Sequence, residues 1–169
     1  HRIRRLPPYV FEQVNRIKAG LRAKGVDIID FGMGNPDMPT PKHIVDKLVE
    51  TARDPKSGRY SASKGIPGLR KAMAGYYDRR YGVKLNPDTE VIATMGSKEG
   101  FANLAQAITA PGDVVICPNP AYPIHAYGFI MAGGVIRHVP ALSPEDYLSG
   151  ISRAVKHSVP PPNVLIVSY

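Results

Sequence analysis

Three short stretches of this sequence combine residue types that can hold an anion or a flat ring. Met95-Gly96-Ser97-Lys98-Glu99-Gly100 stands at a junction from a strand-like to a helix-like segment. Unpaired amides at a helix start, the positive end of its dipole, a serine hydroxyl and glycine together suit a phosphate or carboxylate. The stretch is not a Walker loop, because Gly100 is not followed by Lys and Ser or Thr, and a dinucleotide pattern begun at Gly96 would need glycine where Lys98 and Phe101 stand. An ordinary capped turn accounts for the same residues.

The second stretch is Pro118-Asn119-Pro120-Ala121-Tyr122-Pro123. Three prolines stiffen the backbone and would hold Tyr122 where its ring can stack on a planar heterocycle, with little freedom left to lose. Plain packing of the ring is the alternative. The third is Arg59-Tyr60-Ser61-Ala62-Ser63-Lys64-Gly65-Ile66-Pro67, polar and without an apolar face. Its tyrosine hydroxyl can donate to a phosphate, or Tyr60 is simply a surface residue.

These stretches must be positioned by the elements around them. Val10, Val14, Ile17 and Leu21 form one apolar stripe on a helix that Gly25 can end. Ile28, Ile29 and Phe31 read as a short strand-like run before a loop of Gly32, Met33, Gly34, Asn35, Pro36 and Asp37. A helix starts at Thr40-Pro41 with Ile44, Leu48 and Val49 on its buried face, and a polar connection runs from Arg53 to Gly65. Pro67 opens another helix carrying Leu69, Met73 and Tyr76.

Beyond residue 90 the pattern turns regular. Strands are expected at Val91–Met95, Asp113–Cys117, Gly134–Val139 and Asn163–Ser168. Helices are expected at Ser97–Ala110, at Tyr122–Ala132, and from an N-cap at Ser143 through Pro144, Glu145 and Asp146 to about His157. Strands apolar throughout and alternating with helices mean an α/β domain, a mostly parallel sheet with helices on both faces. Val164–Val167 reads as a central, doubly covered strand, and open α/β sheets bind ligands beyond the carboxyl ends of such strands. Ending on it, the chain is expected to be a fragment.

Composition narrows the function. The 169 residues hold 16 glycines and 17 prolines, which excludes a long coiled coil. No apolar run approaches the length of a membrane span, and the N-terminus lacks the apolar stretch of a signal peptide. A single cysteine, Cys117, fits a reducing cytosol, and His1, His43, His125, His138 and His157 show no ligand-like pairing, so no metal is expected. The net charge of +8 raises nucleic acid as a partner. Apart from Arg2, Arg4 and Arg5, however, the cations are scattered beside acids, as in Asp78-Arg79-Arg80, which points to a solvated surface.

Taken together and in order, the motifs are Gly34 with Asn35-Pro36-Asp37, Tyr60 before Gly65-Ile66-Pro67, Gly96-Ser97-Lys98-Glu99-Gly100, and Asn119-Pro120 before Tyr122-Pro123. In this order and spacing the chain resembles class I/II pyridoxal-phosphate aminotransferases of fold type I, alanine or aspartate aminotransferase-like, over essentially its whole length. The resemblance implies a three-layer large domain, in part, over 41–169, with 1–40 an N-terminal arm and a small-domain segment. It implies that Gly96, Ser97 and Lys98 hold the phosphate of pyridoxal 5'-phosphate and that Tyr122 stacks on its pyridine ring. Tyr60 would reach the phosphate bound to a second subunit of a homodimer, and the arm around Arg5 to Tyr9 would embrace that partner. Gly34 matches the loop that closes over the substrate. The implied reaction moves an amino group between an amino acid and a 2-oxo acid in the cytoplasm, with neither nucleic acid nor membrane as partner.

The same resemblance puts the Schiff-base lysine, the aspartate facing the pyridine nitrogen and two arginines, for phosphate and for substrate carboxylate, beyond residue 169. No catalytic residue is therefore assigned within the chain, which is expected not to turn over alone. Lys98 is no substitute, since it belongs to the phosphate side. Three alternatives remain at this point: a lyase of the same fold type, an effector-binding domain of a transcription regulator, and a basic nucleic-acid-binding module.

Overall fold

The computed structural model describes residues 3–32, 34 and 36–168. His1, Arg2, Met33, Asn35 and Tyr169 lie outside the described residues, and with them Asn35 of the first motif and Arg2 of the basic cluster. The chain forms two compact units, one of residues 8–91 and one of residues 1–7 with 92–169.

The 8–91 unit is helical. Helix α1 spans Val10–Arg22, α2 spans Lys42–Arg53 and α3 spans Pro67–Tyr81. Each begins and ends close to where its apolar spacing and prolines place it. The strand expected at Ile28–Phe31 is absent: Ile29 and Phe31 are exposed, and the segment is tied to α1 by the Lys18 ammonium, which donates to Asp30 at 2.8 Å. The expected buried face of α2 is also corrected, since Ile44, Leu48 and Val49 are all exposed. Helical periodicity identifies the face that seeks a partner, and no described residue covers this one. In α3, Arg70 is buried and donates to the carbonyls of Gly65 at 3.2 Å and Pro87 at 2.7 Å, with the Asp88 carboxylate at 3.2 Å. One side chain thus pins both ends of the α3 region.

The second unit carries the sheet. Helix α4 is Ser97–Ile108, β1 Val114–Asn119, α5 Pro123–Ala132, β2 Val135–Pro140, α6 Pro144–His157 and β3 Pro162–Leu165. The strand order is β2-β1-β3, with both pairings parallel. Val115 and Cys117 of β1 pack with Ala105 of α4, Ala126 and Phe129 of α5, and Ile166. Strand side chains alternate, so Val114 and Ile116, also buried, face the other side, where α6 lies against the sheet through Gly150 and Val139. Helices on both faces explain why β1 is apolar from Val114 to Cys117. The N-cap of α6 forms as its sequence dictates, the Ser143 hydroxyl accepting from the Asp146 amide at 3.1 Å.

Two strand expectations are corrected. Residues 91–95 are not a strand, and β3 is an edge strand, with β1 taking the central place. Extended chain becomes a strand only when a neighbour accepts and donates along it, and no described strand pairs with 91–95 or with the outer side of β3. No helix among the described residues is long and apolar enough to cross a membrane.

Candidate cofactor site

The site is built from the starts of two helices. Helix α4 follows Gly96, whose φ of 88° and ψ of 162° are open essentially only to glycine. That conformation turns the chain from the extended 91–95 segment into the helix. The first turn closes with the Gly100 amide donating to the Gly96 carbonyl at 3.2 Å, which leaves the amides of Ser97, Lys98 and Glu99 ahead of any intrahelical acceptor. The Glu99 carboxylate bends back to accept from the Met95 amide, and the Thr94 hydroxyl donates to the Gly96 carbonyl at 3.0 Å.

Gly100 has a packing role beside this turn. A Cβ there would stand 2.9 Å from the Thr94 hydroxyl oxygen, so the missing side chain makes room for Thr94.

Helix α5 begins one residue after Tyr122, with Pro123 at its first position. The approach to it runs through the loop from Asn119, whose peptide bond to Pro120 is cis. An aromatic contact sets α4 and α5 side by side: Phe101 packs on His125 at 5.2 Å and edge-on to Phe129 at 5.8 Å between ring centroids. Lys98 lies three residues before Phe101, and Tyr122 three before His125. Equal offsets bring the two helix starts together, and the Lys98 ammonium lies 5.3 Å from the centroid of the Tyr122 ring. Two motifs met separately along the sequence thus share one place in the fold.

His125 is the residue that motif reading passed over. Its Nδ1 is buried without a hydrogen-bond partner among the described residues, and its ring lies 6.1 Å from that of Tyr122. A buried nitrogen left unpaired invites a polar group from outside the described chain. Its position three residues into the helix that follows Tyr122 was the available signal.

Tyr122 also borders a cavity of about 340 Å³, lined further by Arg5 and Pro7 and by Asn119, Tyr127 and His138. Tyr60 and Gly34 belong to the other compact unit, where Tyr60 is fully exposed. Exposed amides at a helix N-terminus, a nearby ammonium, an aromatic face and an unpaired buried nitrogen fit a ligand with an anionic group and a flat, polar ring.

A parallel sheet covered on both faces, with the starts of α4 and α5 side by side, is the arrangement of fold-type I transferases. The family model for aminotransferase class I and II matches residues 26–168, and the chain belongs to that family. Over 169 residues it is 68% identical to the putative aminotransferase AatC of Rhizobium meliloti, covering all of this chain and 42% of that protein. It is 48% identical to the glutamate-pyruvate aminotransferase AlaC of Escherichia coli over 168 residues, covering 99% of this chain and 41% of AlaC. Among solved structures, substrate-bound BacF from Bacillus subtilis aligns with a TM-score of 0.88 at 32% identity, over 99% of this chain and 42% of BacF. The chain therefore spans about two fifths of the length of these relatives.

Proposed function

We propose that this chain is the N-terminal part of a pyridoxal-phosphate-dependent aminotransferase that moves an amino group between an amino acid and a 2-oxo acid. The observation that carries the reading is the approach of Lys98 to the Tyr122 ring at the start of α4. The amides of Ser97 and Lys98, with the Ser97 hydroxyl and the Lys98 charge, bind the phosphate of the cofactor, and Gly96 fixes the turn that presents them. Tyr122 orients the pyridine ring by stacking, and His125 stands edge-on to Tyr122 at 6.1 Å between ring centroids. When bound, pyridoxal phosphate supplies an electron sink for the carbanion at the amino-acid α-carbon.

Residues 1–40 supply the N-terminal arm and a small-domain segment, and 41–169 the first portion of the large domain. Gly34 lies in the loop over the substrate. The enzyme works as a cytoplasmic homodimer, with Arg5–Tyr9 and Tyr60 at the interface. The exposure of Tyr60 supports a role toward a second copy. Similarity to a glutamate-pyruvate aminotransferase makes glutamate and pyruvate the first pair to test.

The test uses the full-length protein. Pyridoxal phosphate binding is followed by visible absorbance, and amino transfer from glutamate to pyruvate by alanine formation. Tyr122→Ala and Ser97→Ala are each expected to weaken cofactor binding by about tenfold, the loss of roughly 1.4 kcal/mol. Wild-type affinity in both variants overturns the site, and a protein that binds the cofactor but transfers no amino group to any 2-oxo acid overturns the activity.

A further inference from the structure

On the face of the sheet away from α4 and α5, a hollow of about 310 Å³ opens between β2 and α6. Its charged side chains are the guanidinium groups of Arg137 from β2 and Arg153 from α6, with His157 of α6 beside them. No carboxylate lines it, and neither Arg137 nor Arg153 makes an ion pair or side-chain hydrogen bond among the described residues. Elsewhere the chain pairs its cations readily, as in Lys42 with Asp46 at 2.6 Å and Lys47 with Glu50 at 2.6 Å.

Ordinary structural reasons cover these residues only one at a time. A cation in the last turns of α6 favours its dipole, which accounts for His157. A charge on an edge strand discourages strand addition, which accounts for Arg137. Neither reason requires the two arginines to border the same concavity without an acid between them. Like charges held together unneutralised repel, and the arrangement is relieved by an anion. The guanidinium fork matches phosphate oxygens in pairs, and the volume lies at the small end of ligand pockets.

We propose that the hollow between β2 and α6 is a binding site for a small phosphate-bearing anion, held by Arg137 and Arg153 with His157 at its rim. The site lies on the opposite face of the sheet from the residues proposed for pyridoxal phosphate and does not depend on that assignment.

The test is titration of the full-length protein with inorganic pyrophosphate by calorimetry at about 0.15 M salt, where the general attraction of a basic protein is screened. With the protein saturated in pyridoxal phosphate, Arg137→Ala and Arg153→Ala are each expected to weaken binding at least tenfold, while Lys47→Ala, a cation of α2 that does not line the hollow, leaves it unchanged. Circular dichroism verifies that the variants fold, as both arginines are exposed. Absence of binding to the wild type, or binding that neither arginine variant weakens, overturns the proposal. So does binding weakened equally in Lys47→Ala, which would mark a general attraction to basic surface. Failure here leaves cofactor binding intact, so the two readings fall separately.

Discussion

The ammonium nitrogen of Lys98 stands 5.3 Å from the centroid of the Tyr122 ring. A cation at that distance is attracted by the ring quadrupole, by about 0.5–1 kcal/mol where water reaches the pair. The same cation lies one residue from Ser97, so on the proposed assignment it stands beside both the residue given to the phosphate and the residue given to the ring. In the full-length protein, Lys98→Met is expected to weaken pyridoxal phosphate binding severalfold and to flatten its salt dependence. Tyr122→Phe retains the ring and is expected to stay within about twofold of wild type. A salt dependence equal to wild type in Lys98→Met would remove the lysine from the phosphate side.

Gly96 gives a test that separates backbone from side-chain effects. No atom lies within 4 Å of where its Cβ would stand, so Gly96→Ala meets no steric obstacle. Its positive φ remains, and a side chain in that region costs about 1–3 kcal/mol. Urea unfolding is expected to show that loss, or else a rearranged turn with weakened cofactor binding. Full stability together with full affinity would mean that the turn does not require glycine.

Cys117 is fully buried in β1, and burial pushes its thiol up to about 11. The folded state therefore holds the thiol proton more tightly than the unfolded chain does. Stability from this source is fully present below the ordinary thiol pKa and is lost as pH rises through about 11. Chemical denaturation from about pH 8 upward is expected to fall less steeply in Cys117→Ala than in wild type. Under native conditions the thiol should resist alkylation and become reactive on unfolding. Rapid labelling of the folded protein would contradict its place in the core.

Much of this architecture can be read from residue order, for identifiable reasons. Pro67, Pro123 and Pro144 mark helix starts, and Ser143 caps α6, because these signals act within a few residues of themselves. The meeting of Ser97-Lys98 with Tyr122 follows from two motifs that each stand at a helix start. What failed was whatever needs a distant partner. Residues 91–95 have strand character but no neighbour to bond, Val164–Val167 is an edge and not a centre, and Ile44, Leu48 and Val49 face no covering surface among the described residues. His125 was missed for another reason: its place after Tyr122 was legible, but that its nitrogen is buried and unpaired shows only in the packing against Phe101.

The wedge that Phe101 drives between His125 and Phe129 does more than fill space. It gauges how far α4 may slide along α5, so the gap between the residues proposed for an anion at one helix start and for a ring at the other is set by an aromatic spacer. A smaller residue at position 101 would therefore alter the length of ligand this cradle accommodates before it altered any of the groups that do the holding.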